Sequence, residues 1–132
     1  MADVEDGLRV VDTDLAIDFL RDRAPGAHRV KEWLERDVAR FSAVTAFELR
    51  LGTDFTRRAE RIGRLLAART LPLDHAAALI AGDVYYVRLR GLGLEIGVND
   101  SLLAGTCLRF DLPLATRNTR HFARIEGLRL VD

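Results

Sequence analysis

Leu8-Arg9-Val10-Val11-Asp12-Thr13-Asp14-Leu15-Ala16-Ile17-Asp18-Phe19-Leu20 decides the fold, because its hydrophobic pattern changes period in the middle. Residues 8–11 are a short, largely apolar run that ends at Asp12, as a brief buried strand would. Leu15, Ile17, Phe19 and Leu20 then follow at spacings that suit a helix, with Thr13 and Asp14 as capping candidates. The stretch therefore reads as strand, then helix, with an aspartate at the junction.

The alternation continues along the chain. Pro25 and Gly26 break it, and Val30, Trp33, Leu34 and Val38 repeat through a second helix that places Trp33 in the core. Residues 40–43 predict a second strand. Val44, Phe47, Leu51 and Phe55 then recur every three or four residues along a third helix, capped by Ser42 or Thr45, with Glu48 beside its apolar stripe. Residues 57–69 read as a basic amphipathic helix carrying Ile62, Leu65 and Leu66 on one side, and 70–73 as a third strand. Asp74 caps a long helix that runs through Leu89 and stops at Gly91 and Gly93. A further helix spans 100–110, with Asn99 or Asp100 at its N-terminus and Leu102, Leu103, Thr106 and Phe110 as its buried face. Pro113 introduces a fourth strand at 114–116, residues 118–122 make a turn or short helix, and 128–131 a last strand. Short apolar strands alternating with helices predict an α/β fold, a short parallel sheet of about four or five strands sandwiched between helices. The expected organisation is one domain over residues 1–132, with 1–7 as an N-terminal extension.

Composition narrows the function classes. A chain of 132 residues, 48% hydrophobic and 30% charged, suits one ordinary folded core. Twenty basic residues offset twenty acidic ones, so a polyanion site must arise from local placement. Lys31 is the sole lysine, which excludes mechanisms needing a lysine elsewhere. Cys107 is the single cysteine and lies in an apolar run, so it reads as a buried small hydrophobe. Met1 to Gly7 lack the regions of a secretory signal, and no apolar stretch approaches a membrane span. The expectation is a cytoplasmic protein with no membrane partner.

Ligands of a parallel sheet collect beyond the carboxyl ends of its strands, where Asp12 lies. Asp100 opens a helix, where the free N–H groups favour negative charge. Glu48 is flanked by Phe47, Leu49 and Leu51, where a lone charge is costly and needs a partner. Hard cations such as Mg²⁺ and Mn²⁺ take oxygen ligands and need few carboxylates when a substrate phosphate contributes. His28, His75 and His121 are scattered without zinc spacing, and Gly91-Leu92-Gly93 is a helix stop, too short for a phosphate loop.

Taken together, Val10-Val11-Asp12-Thr13-Asp14, Ser42-Ala43-Val44-Thr45-Ala46-Phe47-Glu48-Leu49, Ile96-Gly97-Val98-Asn99-Asp100-Ser101-Leu102-Leu103-Ala104 and Leu114-Ala115-Thr116-Arg117-Asn118-Thr119-Arg120-His121-Phe122 resemble the PIN-domain family, and within it the VapC toxins. The resemblance runs from Val10 to Val131. It implies a metal-dependent endoribonuclease, a hydrolase acting on RNA, usually dimeric and neutralised by a VapB-like antitoxin. Asp12, Glu48 and Asp100 fall on the family's three main acidic positions and would hold Mg²⁺ or Mn²⁺. The chain departs from the pattern at Asn118, often aspartate, and at His121, where related chains carry Asp or Glu. Asn118 is expected to orient rather than charge the site, and Thr13, Thr116 and Arg117 to reach a substrate phosphate. Products would carry 5′-phosphate and 3′-hydroxyl ends.

Other readings compete. Arg57, Arg58, Arg61 and Arg64 fall along one helical side and suit an RNA-facing strip, a solvated face or an antitoxin surface. An apolar groove including Trp33 and Phe55 would suit an antitoxin segment, against plain core packing. Asp12-Thr13-Asp14 faintly resembles aspartate-nucleophile phosphatases, which need a well-placed lysine that this chain lacks. A PIN-like module that has lost catalysis is the non-enzyme alternative, supported by Asn118 and His121.

Overall fold

In the computed structural model, which describes residues 7–91 and 93–131, the strands are β1 (Arg9–Val11), β2 (Ala39–Ser42), β3 (Thr70–Leu71) and β4 (Leu114–Ala115). The helices are α1 (Thr13–Leu20), α2 (Gly26–Glu35), α3 (Ala43–Leu51), α4 (Phe55–Leu66), α5 (His75–Leu89), α6 (Val98–Phe110) and α7 (Thr119–Phe122). Residues 1–6 of the expected N-terminal extension lie outside the described residues. The sheet has four strands in the order β3-β2-β1-β4, and every pairing is parallel.

Side chains alternate across a strand, and the two valines of β1 show it. Val11 joins Leu15, Trp33, Phe41, Leu49, Ile62 and Leu65 in one core on the side of α1 to α4. Val10 joins Ile96, Leu103, Cys107, Leu114 and Phe122 in a second core on the side of α5 to α7. Each large apolar side chain so buried contributes roughly 1.5–3 kcal/mol, which is why an all-parallel sheet keeps both faces covered. Trp33 is in the core as expected, 5% exposed, with the Arg9 and Arg29 guanidinium groups over its ring at 5.2 and 4.8 Å. Cys107 is buried too, and burial pushes its thiol far above the ordinary value.

Several boundaries differ from the sequence reading, each for a local reason. Asp12 itself, rather than Thr13 or Asp14, caps α1, its carboxylate accepting from Thr13 N. The stripe Val44, Phe47, Leu51, Phe55 does not face the core as a unit. Phe47 and Leu51 are 58% and 68% exposed, whereas Val44, Thr45 and Leu49 are buried. Ser42 caps α3 and draws Thr45 inward through a 3.1 Å bond from Thr45 N, while Gly52 ends the helix and Phe55 opens a separate one. α4 therefore starts two residues before Arg57 and stops at Leu66. β3 ends at Leu71 because Pro72 has no N–H to donate. α6 starts at Val98 with Gly97 as its cap, so Asn99 and Asp100 lie inside the first turn. The expected last strand at 128–131 is reduced to a single bridge between Leu130 and Leu114.

α5 and α6 pack closely at Gly105, where an added methyl would lie 2.6 Å from Ala81 Cβ and 2.7 Å from the Ala77 carbonyl. Gly82, also on α5, has open space around the same position. Gly105→Ala is therefore expected to destabilise by about 1–3 kcal/mol through overpacking, and Gly82→Ala to stabilise by up to about 1 kcal/mol through helix propensity. Urea denaturation of the two variants checks both signs.

Candidate active site

β1 delivers Asp12 to the C-terminal edge of the sheet, and β4 delivers Thr116 beside it. The pairing Val11↔Ala115 sets this register, and the amide of Asp12 donates to Ala115 O at 2.9 Å. Thr116 Oγ1 then donates to Asp12 Oδ2 at 2.8 Å, and Thr13 N donates to Asp12 Oδ1 at 2.7 Å. The carboxylate is thus held by two donors in a residue that is 9% exposed. Glu48, half-buried on α3, enters through Thr13, whose hydroxyl donates to Glu48 Oε1 at 2.6 Å and lies 2.9 Å from Thr45 Oγ1. Asp100, in the first turn of α6, has its Oδ2 at 3.1 Å from His121 Nε2. His121 in turn stands edge-on to Phe122, with ring centroids 5.1 Å apart.

Two further acids belong here: Asp14, which the sequence offered only as a capping candidate and in the faint phosphatase-like Asp12-Thr13-Asp14, and Asp18, which it did not single out. Asp14 Oδ2 accepts from Arg117 N at 3.1 Å and faces the Arg117 guanidinium at 3.7 Å. Asp18, 2% exposed, lies 3.3 Å from Arg117 Nη1 and accepts from Gly26 N at 3.1 Å. The signal was present in the spacing, since residues 14 and 18 are one turn apart on one helical face. Arg117 is therefore engaged by two carboxylates at the rim. Asn118 is exposed, and its backbone N–H donates to Thr116 Oγ1 at 3.0 Å.

The electrostatics centre on Asp12. Burial, then the Asp14 charge, with a smaller push from Asp100, raises its pKa from the ordinary 3.8 to about 7, against the pull of the Thr116 and Thr13 bonds. The chain's own groups leave this negative charge under-compensated, which is the condition a divalent cation relieves. The donors along this edge are carboxylate and hydroxyl oxygens, the chemistry of a hard cation rather than of zinc. Among the described residues no three His, Cys, Asp or Glu side chains are drawn together tightly enough to form a compact metal cluster. Thr13 and His121 hold Glu48 and Asp100 through their own hydrogen bonds.

Two further expectations can be placed. The arginines of α4 are turned inward or paired: Arg58 and Arg61 donate to the Leu20 carbonyl that ends α1, Arg57 faces Asp54 at 3.8 Å and Arg64 faces Glu60 at 2.6 Å. An apolar cleft of about 50 Å³ lies between Ile17, Leu20, Leu49, Phe55 and Ile62, with Glu48 at its lining, and Trp33 is not part of it.

Residues 9–128 match the PIN domain family. The chain belongs to that family. Its curated relatives include a tRNA(fMet)-specific endonuclease VapC of Shigella flexneri, 30% identical with 93% of this chain and 96% of that protein covered. Ribonuclease VapC10 of Mycobacterium tuberculosis (strain CDC 1551 / Oshkosh) is 35% identical, with 91% and 90% covered. Among solved structures, the DNA-bound VapBC complex of Salmonella typhimurium superposes with a TM-score of 0.79 at 24% identity, covering 96% of this chain and 98% of that one. FitAcB of Neisseria gonorrhoeae gives 0.71 at 29% identity, with 95% and 97% covered. Within the PIN family this is a VapC-type ribonuclease of the toxin–antitoxin kind. No helix among the described residues is long and apolar enough to cross a membrane.

The raised Asp12 pKa has a stability signature. Between the ordinary 3.8 and about 7 the folded protein keeps a proton that the unfolded chain has lost, so stability falls as pH rises through that window. In chelator at about pH 8, Asp12→Asn should be more stable than wild type by on the order of 2–4 kcal/mol, and below about pH 4 the gain should vanish. Denaturation curves at the two pH values check this.

Proposed function

We propose that this VapC-type ribonuclease hydrolyses phosphodiester bonds in single-stranded or unpaired RNA at the edge of the sheet marked by Asp12, Glu48 and Asp100. The observation that carries the reading is the Asp12 carboxylate, buried at a strand end under the charge of Asp14 and Asp100. Asp12, Glu48 and Asp100 would hold Mg²⁺ or Mn²⁺, which when bound supplies Lewis-acid activation of the attacking water and neutralises charge building on the phosphate.

The chain's own residues prepare that event. Thr116 and the Thr13 amide fix the orientation of Asp12, and the Thr13 hydroxyl fixes Glu48. His121 fixes one oxygen of Asp100, in a place where related chains supply another acid. Arg117, its charge largely offset by Asp14 and Asp18, and the exposed Asn118 line the entrance, where Asn118 orients the water and Arg117 offers the scissile phosphate only the N–H donors those carboxylates leave over. With water as nucleophile the ribose 2′-hydroxyl is not consumed, and the products carry 5′-phosphate and 3′-hydroxyl ends. The proposed partners are a VapB-like antitoxin and a second copy of the chain. Transfer RNA is the first substrate class to try, since a relative is named for it.

Purified wild type is expected to cut RNA in Mg²⁺ or Mn²⁺ and not in chelator, with 5′-phosphate ends. Asp12→Asn and Asp100→Ala should each lower the rate by more than roughly 100-fold, with unchanged circular dichroism. Activity retained in either variant would sink the assignment.

A further inference from the structure

The arginines that the sequence offered as candidates for RNA contact are largely engaged elsewhere. Arg117 is held by Asp14 and Asp18, and Arg58 and Arg61 by the carbonyl end of α1. Two arginines near the site are not spent in this way. Arg120 makes no hydrogen bond or ion pair with any described residue. Arg124 reaches Gly93 O only at 3.5 Å, the outer limit of a hydrogen bond. Both are exposed and line an open cleft of about 250 Å³ with His121, Asn118 and Glu95. Residues 120 and 124 are one helical turn apart, and Ala123 continues α7 with φ −62° and ψ −20°, so both guanidinium groups rise from one face. Glu95 is the one acid in the lining, against two arginines.

The cleft adjoins the catalytic edge. His121 is common to both, lining the cleft and standing 3.1 Å from Asp100. Asn118 is likewise shared, since its backbone is bonded to the Thr116 hydroxyl that holds Asp12. A strand of nucleic acid with its scissile phosphate at Asp12 and Asp100 would therefore carry its next phosphates past Arg120 and Arg124. Guanidinium groups bind phosphodiester oxygens through paired N–H donors, and unpaired arginines need not break an existing ion pair to do so.

Resting on the nuclease reading above, we propose that the cleft of Arg120, Arg124, His121 and Asn118 is a backbone subsite for the phosphodiester flanking the scissile one in single-stranded RNA. Arg120 and Arg124 are its charge, and Glu95 limits how deeply the strand can enter. The site recognises phosphate spacing rather than base identity, so it sets affinity and direction of the bound strand.

The test uses a short fluorescein-labelled single-stranded oligouridine and the full chain. Arg120→Gln combined with Arg124→Gln should raise Kd roughly 10-fold at low salt and flatten the log–log salt dependence by about 1.4, the loss of two phosphate contacts. In cleavage assays KM should rise with kcat within about threefold, since the reacting groups are untouched. Arg57→Gln combined with Arg64→Gln, removing two other exposed arginines on α4, should change neither quantity. Unchanged affinity and salt slope in the first variant, in a wild type that does cleave RNA, overturns the subsite alone. If that variant also loses binding to a poly-glutamate peptide, the cleft belongs to an acidic protein segment instead. A wild type that neither binds nor cuts RNA in Mg²⁺ or Mn²⁺ overturns the nuclease reading and the subsite with it.

Discussion

The parallel pairing of β1 with β4 is the constraint on which the rest depends. Its register places Val11 beside Ala115, so the next residue of each strand, Asp12 and Thr116, leave the sheet together although they are 104 positions apart in the chain. A slip of one residue would turn Val10 and Val11 to the wrong cores and carry Thr116 away from the carboxylate it holds. The two hydrophobic cores therefore do more than stabilise the sheet. By fixing which valine faces which side, they fix the register, and the register fixes the site.

From that junction the other elements add acids at different depths. α1 contributes Asp14 and Asp18, α3 contributes Glu48 and α6 contributes Asp100. Each carboxylate has a dedicated neighbour: Thr116 for Asp12, Thr13 for Glu48, Arg117 for Asp14 and Asp18, and His121 for Asp100. The burden of like charge falls most on Asp12, the most enclosed of the proposed cation ligands. His121 brings an imidazole to Asp100 and joins the proposed catalytic edge to the arginine-lined cleft beside it.

Much of this was legible in the sequence. The strand-to-helix switch at Asp12, the cap at Asp74, the core position of Trp33 and the parallel α/β class follow from hydrophobic period and capping chemistry, which are local. What was not legible depended on partners distant in sequence. The periodicity of α3 fits two different faces, and only the Ser42 and Thr45 hydroxyls and the break at Gly52 select the one that buries Leu49 and exposes Phe47 and Leu51. The last strand reads as β from its residues, but only Leu130 reaches a partner at β4. Asp14 reads from the sequence as a cap candidate and Asp18 carries no signal of its own, because the Arg117 that both engage comes across from beyond β4. The sequence left the α4 arginines open between an RNA-facing strip, a solvated face and an antitoxin surface for the same reason, since the carbonyls that bind Arg58 and Arg61 lie on another helix.

The central claim is that the fold stores an under-compensated carboxylate at Asp12 for a divalent cation to stabilise. Carbon-13 NMR titration of the Asp12 carboxylate, in chelator and again in Mg²⁺ buffer matched for ionic strength, reads that claim directly. The account predicts a midpoint near 7 in chelator, falling by at least about one unit when Mg²⁺ is added. A midpoint in the ordinary carboxylate range in chelator, unmoved by Mg²⁺, would contradict it.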